Sequence, residues 1–281
     1  MSENTDSQLA LPTIAEIEAA ANTLSFPDNF TKVVRVKEHF AVKFGNGIPL
    51  SEAEAMKFLA ANRTVRVPKV YAAFMDPATN RTYIIMDYIP GNDLQKLLPS
   101  LTPSEKSIIC RLIRDSINQL REIPAPGYLG TVDRQPYNDG VFRTTGDNPL
   151  ITGPFANQNE MNRGILKNLA QRESPHYIRL LQGMVDRTLY GHRTVFTHGD
   201  LQPKNIMVER VDDAAAAGDP GFRITLVDWE MAGWYPEFWE FCNATVCCRF
   251  KPDWLELIPD ILEQYAVEYL MMQLVYATVF Y

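Results

Sequence analysis

The sequence predicts an α+β protein in which a small antiparallel sheet precedes a larger helical part. Residues 31–44 hold two β-type runs joined by a short turn, which is typical of a hairpin. A continuous apolar run over residues 82–89 is ended by a Pro-Gly pair and predicts the last strand of the sheet. Helical patterns dominate from Thr102 onward, where Thr-Pro-Ser-Glu is a helix-capping sequence. We therefore expect an N-terminal lobe over residues 1–89 and a C-terminal helical lobe over residues 90–281.

Composition narrows the class of protein before any motif is considered. With 281 residues, 46% of them hydrophobic and 22% charged, the chain is typical of a soluble globular protein. A net charge of −7 and a pI near 5.2 argue against a nucleic-acid partner. The acidity slightly favours cationic or neutral substrates, although solubility alone is a sufficient explanation for it.

The N-terminus and the cysteines predict a cytoplasmic protein without a membrane partner. The N-terminal stretch has no basic region followed by a long apolar segment, so no secretory signal is expected. No apolar run is long enough to span a bilayer. The cysteines match neither a zinc spacing nor a disulfide framework and are expected to be reduced thiols; they are Cys110, Cys242, Cys247 and Cys248.

Two helices are expected in the N-terminal lobe, and the second bears on function. Thr13 and Glu16 have the spacing of a capping box at the start of a helix over residues 13–24. Ser51 is expected to cap a second helix over residues 52–61.

A lysine and a glutamate of this lobe are predicted to pair. Lys43 lies in an apolar strand, where a lysine is usually an exposed edge residue. Glu52 falls on the apolar face of the following helix, which it shares with Met56 and Leu59. Because a buried charge without a partner is unfavourable, Glu52 needs a cation, and Lys43 is the available one. Glu54 remains an alternative partner for Lys43.

The stretch HGDLQPKN and the two β-type runs that follow it contain most of the candidate functional residues. The runs, residues 206–208 and 224–227, enclose a turn-rich insert and predict a hairpin. This hairpin would bring Asp200, Asn205 and Asp228 to one end of its strands. Two carboxylates and an amide oxygen suit a hard cation such as Mg²⁺. One of the carboxylates could also receive a hydroxyl proton, and the set is therefore typical of phosphoryl transfer.

These motifs resemble those of the aminoglycoside phosphotransferase and choline kinase type of small-molecule kinases. The resemblance rests on HGDLQPKN and LVDWE, and it extends in the same order to FAVKFG, SEAEAMKFL, YIIMDYIPG and GWYPEFWEF. It covers most of the chain and implies a two-lobe, protein kinase-like fold that binds ATP and Mg²⁺ in the cleft between the lobes. The implied activity is transfer of a phosphoryl group to a hydroxyl of a small-molecule acceptor, by a monomer or weak homodimer.

In the N-terminal lobe, the resemblance implies nucleotide-binding roles for four residues and makes a fifth the partner of one of them. Lys43 would hold the α- and β-phosphates and pair with Glu52. Met86 ends the lobe, and Asp87 and Ile89 would bracket the adenine through their backbone groups.

In the C-terminal lobe, the resemblance assigns the catalytic and metal-binding residues. Asp200 would accept the proton of the acceptor hydroxyl, and Asn205 and Asp228 would bind Mg²⁺. His198 would brace the catalytic loop and would not act as a base. Lys204 could contact a phosphate or be a solvated side chain.

Two features restrict the acceptor. Seven residues separate Asp228 from Pro236, so the long segment with which protein kinases dock a peptide has no room here. A small-molecule acceptor is therefore favoured, and its selection is expected from residues 130–155 and the helix around Asn159. The acidic residues Glu230, Glu237 and Glu240 could receive an amine, although ion pairs are the expected role of the last two.

One feature departs from the pattern of these kinases. No glycine-rich loop precedes the Lys43 strand, and residues 37–39 occupy the position where it is expected; Gly45 and Gly47 come after the strand. The alternative function is therefore a weakly active or inactive kinase-like protein. Such a protein would serve as a nucleotide-binding or partner-binding module, or be repurposed for other metabolite chemistry.

Overall fold

The N-terminal part of the chain is built on a four-stranded antiparallel sheet in the computed structural model. The structure describes residues 10–25, 31–63, 65–146, 148–211 and 221–280. The strands of the sheet are β1 (Lys32–Val36), β2 (Phe40–Gly45), β3 (Val70–Asp76) and β4 (Arg81–Asp87). Their order is β1-β2-β4-β3, so β2, the strand that carries Lys43, lies in the interior of the sheet. The expectation of an exposed edge lysine therefore does not apply to Lys43, which is buried.

The first helix is shorter than the sequence suggests. Helix α1 covers Ile14–Glu18 and begins with the predicted capping box of Thr13 and Glu16. The chain then becomes extended and lies beside β1, because the Leu24 amide donates to the Val33 carbonyl at 2.7 Å. Pairing with a strand competes with continuation of the helix, and the predicted helix over residues 13–24 is wrong beyond Glu18.

Helix α2 connects this sheet to the rest of the molecule. It covers Ser51–Asn62, and its N-cap is Leu50, so the expected cap at Ser51 is wrong. Its buried side chains include Glu52, Met56 and Leu59. The apolar ones among them belong to the large hydrophobic core that the C-terminal helices share.

The C-terminal part is helical, as predicted. Its helices are α3 (Leu94–Leu97), α4 (Pro103–Arg121), α5 (Pro149–Thr152), α6 (Gln158–Leu169), α7 (Pro175–Thr188), α8 (Trp239–Val246), α9 (Pro252–Leu255), α10 (Ile258–Ile261) and α11 (Ala266–Phe280). Among the described residues, no helix has the length and apolar character needed to cross a membrane.

Short strands on the C-terminal part position the loops between them. They are β5 (Asn92–Asp93), β6 (Thr194–Thr197), β7 (Ile206–Val211), β8 (Gly221–Leu226) and β9 (Gly233–Pro236). The predicted hairpin is confirmed as the β7–β8 pair, with Ile206 opposite Leu226. Residues 212–220 of its insert lie outside the described residues. The GWYP segment forms β9 and pairs with β6.

Separate hydrophobic cores confirm the two-lobe arrangement. One core lies in the small sheet and includes Val34, Phe40, Val42, Tyr83 and Ile85. The other unites α2 with the C-terminal helices and hairpins. The chain passes between the two parts after β4, so the boundary proposed after residue 89 falls in the linker region and stays a prediction.

Candidate active site

The loop after β6 carries HGD, and a buried glutamate of α8 fixes its backbone. Glu240 accepts hydrogen bonds from the amides of His198 at 2.7 Å and Gly199 at 3.2 Å. Asn243, one turn further along α8, donates to the Gly199 carbonyl at 2.7 Å. Burial raises the pKa of Glu240, and these backbone donors oppose the shift. Glu240 was expected to form an ion pair or bind an amine, but its carboxylate is occupied by the loop backbone.

A second buried carboxylate lies beneath this loop and was not identified from the sequence. Asp139 accepts hydrogen bonds from the Trp239 indole at 3.0 Å, from Asn243 at 3.2 Å and from the Val141 amide at 2.9 Å. Burial raises the pKa of Asp139 above its ordinary value. Because Asn243 contacts both Asp139 and the HGD loop, the irregular segment around residue 139 helps to hold the loop in place. A lone Asp between Asn and Gly in a turn-rich stretch gives no signal of this role.

His198 connects the two loops of the site. Its Nδ1 lies 3.2 Å from the Asp200 amide, which can only donate, so the proton of the neutral ring is on Nε2. Nε2 is 3.1 Å from the Val227 carbonyl and donates to it. The ring also packs against Trp229, with 4.5 Å between ring centroids. Both nitrogens are thus engaged with backbone groups, an arrangement that suits the bracing role expected of His198.

Asp200 and Asn205 are in direct contact. The Asn205 side-chain amide donates at 2.9 Å to both the carbonyl and Oδ2 of Asp200. The Asn205 carbonyl accepts from the Val227 amide at 3.0 Å, which joins the loop to the start of the Asp228 segment. With Nδ2 directed at Asp200, the side-chain oxygen of Asn205 accepts no hydrogen bond among the described residues. That oxygen is available as a metal ligand.

Lys43 reaches across the cleft and contacts carboxylates from both lobes. Its Nζ lies 2.7 Å from Glu52 Oε2 and 2.7 Å from Asp228 Oδ1, and 3.1 Å from Glu230 Oε2. Glu52 is the partner from α2, because Glu54 instead pairs with Lys57 at 2.8 Å on the surface. Glu230, which the sequence offered as an amine ligand, is a third partner of Lys43.

The charges of this cluster do not balance. Burial alone would lower the pKa of Lys43, but its carboxylate partners raise it well above the usual range. Burial likewise opposes ionisation of Asp228, and Lys43 outweighs it and lowers the pKa of that carboxyl. Burial raises the pKa of Glu52 to about 7, although Lys43 pulls it in the opposite direction. One ammonium is shared by three carboxylates, so the cluster carries excess negative charge in a partly desolvated place.

The same excess makes the cluster suitable for a divalent cation. Carboxylate oxygens of Glu52, Asp228 and Glu230 lie within 4.8 Å of one another. Asp228 follows β8 in a left-handed backbone conformation with φ of 67°, which turns its side chain out of the strand. Oxygen donors of Asp228, Glu230 and Asn205 match the preference of Mg²⁺ for hard ligands. Glu52 is bound more deeply to Lys43 and suits that role better than metal binding.

The linker between the lobes follows β4 and carries the residues whose backbone groups are predicted to bracket the adenine. Asp87 is tied to the sheet, since its carboxylate accepts from the Tyr71 hydroxyl at 2.7 Å and from the Lys69 amide at 3.0 Å. The Tyr88 amide donates to the His39 carbonyl at 2.8 Å. In a trans peptide the preceding carbonyl points the opposite way, so the Asp87 carbonyl is directed away from β2. The Ile89 amide donates to no acceptor among the described residues, and Met86 next to Asp87 is half-buried.

The β1–β2 turn lies at the linker end of the sheet. The Tyr88 amide donates to the His39 carbonyl, so residues 37–39 are not at the Lys43 end of β1, and the expectation that they take the position of a glycine-rich loop is wrong. The opposite end of β1 lies beside Lys43, which pairs with Val33. The sequence suggested otherwise because the segment that pairs with β1 from the N-terminal side, residues 22–25, forms only an isolated bridge and has no strand pattern.

A segment that precedes β1 in the chain lies alongside β1 and leads toward its Lys43 end. Residues 22–25 lie antiparallel to β1, with the Arg35 amide donating to the Asn22 carbonyl at 2.8 Å. The connection between the two passes through residues 26–30, which lie outside the described residues. Residues 22–35 contain no glycine, so the departure from a glycine-rich sequence holds at this position too.

Sequence comparison identifies a family but no individual relative. A sequence model of a phosphotransferase enzyme family matches residues 35–274, which is most of the chain. A comparison with curated proteins finds no match.

Several solved structures have a similar fold. A thermostable variant of an aminoglycoside phosphotransferase, in a ternary complex with ADP and hygromycin B, has a TM-score of 0.57 and 12% identity, covering 95% of this chain and 90% of that chain. A related complex with AMP-PNP and hygromycin B gives 0.58 and 11%, over 90% and 82%. The GDP complex of aminoglycoside 2'-phosphotransferase-IIIa gives 0.51 and 10%, over 92% and 81%. At such identities the similarity establishes the two-lobe kinase-like fold and leaves the substrate open.

Proposed function

The chain belongs to the phosphotransferase enzyme family, and on that premise we propose that it transfers the γ-phosphoryl group of ATP to a hydroxyl of a small-molecule acceptor. The observation that carries the proposal is the contact of Lys43 with both Glu52 and Asp228, each at 2.7 Å. It brings a cation suited to phosphates and a carboxylate suited to Mg²⁺ into one cleft between the lobes. The solved structures of similar fold include complexes with ADP, AMP-PNP and GDP, which supports a nucleotide in that cleft.

In the proposed reaction the acceptor hydroxyl oxygen attacks the γ-phosphorus while the bond from that phosphorus to the bridging oxygen breaks. The electron pair of that bond leaves with ADP, and the hydroxyl proton passes to a carboxylate oxygen of Asp200. Asn205 holds this carboxylate through Oδ2 at 2.9 Å, so the base is positioned before the acceptor arrives. His198 keeps the loop attached to Val227 and takes no proton.

The nucleotide is proposed to bind through groups of both lobes. Lys43 would exchange part of its carboxylate contacts for the α- and β-phosphates, with Glu52 keeping it in place. The Asp87 carbonyl and the Ile89 amide, beside Met86, would bracket the adenine. Asn205, Asp228 and Glu230 would hold Mg²⁺, which offsets phosphate charge when bound.

The proposal is tested by separating nucleotide binding from turnover. In Asp200→Asn, ADP release should fall by about 100-fold or more, because a positioned base contributes on that order. The thermal shift given by ATP with Mg²⁺ should persist, since Asp200 is not assigned to the nucleotide. Full activity of Asp200→Asn would remove the assignment of the base.

A second candidate function is a nucleotide-binding or partner-binding module without turnover. It is favoured by the absence of glycine from residues 22–35, where these kinases cover the phosphates. A ligand far above its Kd stabilises a protein by a few kcal/mol, roughly 2.7 kcal/mol at 100 times Kd. A thermal shift with ATP and Mg²⁺ but no ADP release with any hydroxyl compound would favour this module over the kinase.

A further inference from the structure

The loop between α8 and α9 brings a second lysine to the candidate base. Lys251 Nζ donates to Gln202 Oε1 at 3.3 Å, and Gln202 Nε2 donates to Asp200 Oδ1. A lysine only donates and a carboxylate only accepts, so this amide orientation is the one that satisfies both neighbours. Lys251 thereby fixes the Gln202 amide, which in turn holds one oxygen of Asp200.

Lys251 connects to the oxygen of Asp200 that the candidate metal ligand Asn205 does not contact. Asn205 contacts Oδ2 of Asp200, and Gln202 contacts Oδ1. Because Asn205 is assigned to the metal, we expect the acceptor on the Oδ1 side, where Gln202 links Asp200 to Lys251. The residue beside Lys251, Phe250, is 83% exposed.

The charge of Lys251 has no counter-ion in the fold. Its side chain is half-buried, and its hydrogen-bond partner is the neutral amide oxygen of Gln202. Within the described ranges, Lys251 forms no salt bridge, so no carboxylate oxygen lies within 4.0 Å of its Nζ. A partly buried ammonium without an anion is unfavourable, and a bound anionic group would relieve it.

A further cation lies on the opposite flank of Asp200. Lys204 Nζ is 3.6 Å from Asp200 Oδ2, and its side chain is 39% exposed. The thiol of Cys248, two residues beyond α8, is affected by all three groups. Burial raises its pKa to about 11, while Lys251 lowers it, Asp200 raises it and Lys204 lowers it.

The acidic residues that a cationic acceptor would need are already committed. Glu230 contacts Lys43 at 3.1 Å, and Glu237 contacts Arg193 at 2.8 Å. Glu240 is buried against the backbone of the HGD loop. The weak preference for cationic substrates that the net charge suggested therefore finds no support in these three glutamates.

We infer that the acceptor carries a carboxylate or phosphate group near the hydroxyl that is phosphorylated, and that Lys251 binds this anionic group. The inference rests on the proposed phosphotransferase function. Four small hydroxyl compounds that differ in charge test the inference. Glycerate carries a carboxylate, glycerol 3-phosphate carries a phosphate, glycerol is neutral and choline is a cation.

The first measurement is the thermal shift of the full chain saturated with ADP and Mg²⁺. Glycerate or glycerol 3-phosphate should raise Tm, and the stronger of the two identifies a carboxylate or a phosphate as the preferred group. Glycerol and choline should bind about tenfold more weakly or worse, because they lack the charge-assisted contact.

The same measurement on variants of Lys251 tests its role. Lys251→Met should remove the difference between the anionic and the other probes, and Lys251→Arg should keep it, while the exposed Lys167→Met serves as the control. Lys251→Glu should reverse the preference toward choline.

Three outcomes overturn the inference: a larger shift with choline or glycerol than with the anions, an unchanged anion response in Lys251→Met, or no shift with any probe. If Lys251→Met does not fold, the response of Lys251→Glu decides. The proposed function is judged separately by the response to ATP with Mg²⁺ and by ADP release, so ADP release stimulated by choline would keep the kinase and discard the anionic acceptor.

Discussion

The two groups of buried and half-buried carboxylates around the candidate site differ in what holds them. Beneath the HGD loop, Glu240 and Asp139 accept hydrogen bonds from backbone amides and neutral side chains. Around Lys43, three carboxylates from two lobes share one ammonium. The first group has its hydrogen-bonding capacity filled by rigid donors of a single lobe. The second has more acceptors than cations, so a cation that binds there would stabilise it.

This difference separates scaffold from binding site. Satisfied buried polar groups fix one geometry, and the loss of a partner leaves unpaired donors that no ligand replaces. An overcharged cluster depends on its cation, on pH and on added metal. We expect mutations in the two groups to respond differently to pH and Mg²⁺, even where the initial loss of stability is similar.

The largest effect is expected from Lys43→Met. It leaves three neighbouring carboxylates without their cation, and removal of one partner from a buried ion pair destabilises by about 3–5 kcal/mol. Without Lys43 the carboxylates bind protons more tightly in the folded than in the unfolded state. The deficit relative to the wild type should therefore shrink as the pH is lowered from 7 toward 5, as measured by urea unfolding at several pH values. A deficit independent of pH would contradict the overcharged cluster.

A somewhat smaller loss is expected from Glu240→Ala. The backbone amides of His198 and Gly199 lose their acceptor, and each buried unsatisfied donor is unfavourable by about 1–3 kcal/mol. Removal of the buried carboxylate relieves its own desolvation and offsets part of this loss. Neither Mg²⁺ nor acid supplies a new acceptor, so this loss should not recover under either condition. The exposed Glu256→Ala is the matched control, and recovery of Glu240→Ala with Mg²⁺ would erase the distinction between the two groups.

The Asp139→Asn variant tests how the stability of the first group depends on pH. Burial raises the pKa of Asp139, so the folded state keeps a proton at pH values where the unfolded state has lost it. As pH rises above the ordinary pKa of an aspartate, the wild type should lose stability relative to Asp139→Asn, by up to about 1.4 kcal/mol per pH unit for one proton. Parallel unfolding curves at pH values from the ordinary pKa of an aspartate upward check this. A gain of wild-type stability with rising pH would show that the three hydrogen bonds to Asp139 outweigh its burial.

The smallest change in stability is expected from Glu230→Gln. It removes one of three acids around a single lysine, and this partly exposed contact should alter the unfolding free energy by about 1 kcal/mol or less. The informative readout is the Mg²⁺ concentration needed for the thermal shift by ATP, which should rise. An unchanged Mg²⁺ requirement would exclude Glu230 as a metal ligand and leave it as a partner of Lys43.

The chemical groups of the site could be predicted from the sequence because they occur in local patterns. The hairpin signal in residues 206–227 placed Asn205 and Asp228 at the same end of β7 and β8. The apolar spacing of α2 placed Glu52 on a buried face and made a cation necessary. These are short-range consequences of strand and helix periodicity, and they hold wherever the elements form.

Other features depended on contacts between distant segments. Glu240 and Asp139 are acidic residues in segments with no helpful pattern, and they acquire donors only when α8 packs beneath the HGD loop. Residues 37–39 were misplaced because strand order decides which end of a hairpin meets the linker. Lys251 reaches Gln202 across 49 positions of the chain.

Residue type and local periodicity are enough to predict the α+β class and the Lys43, Asp200, Asn205 and Asp228 set, because both act over a few neighbouring residues. The three acidic partners of Lys43, the scaffold role of Glu240 and the missing counter-ion of Lys251 follow from packing alone. The physical reason is that burial and charge balance are properties of packed neighbours. Residues that are far apart in sequence but in contact in the fold leave no local pattern from which the contact could be predicted.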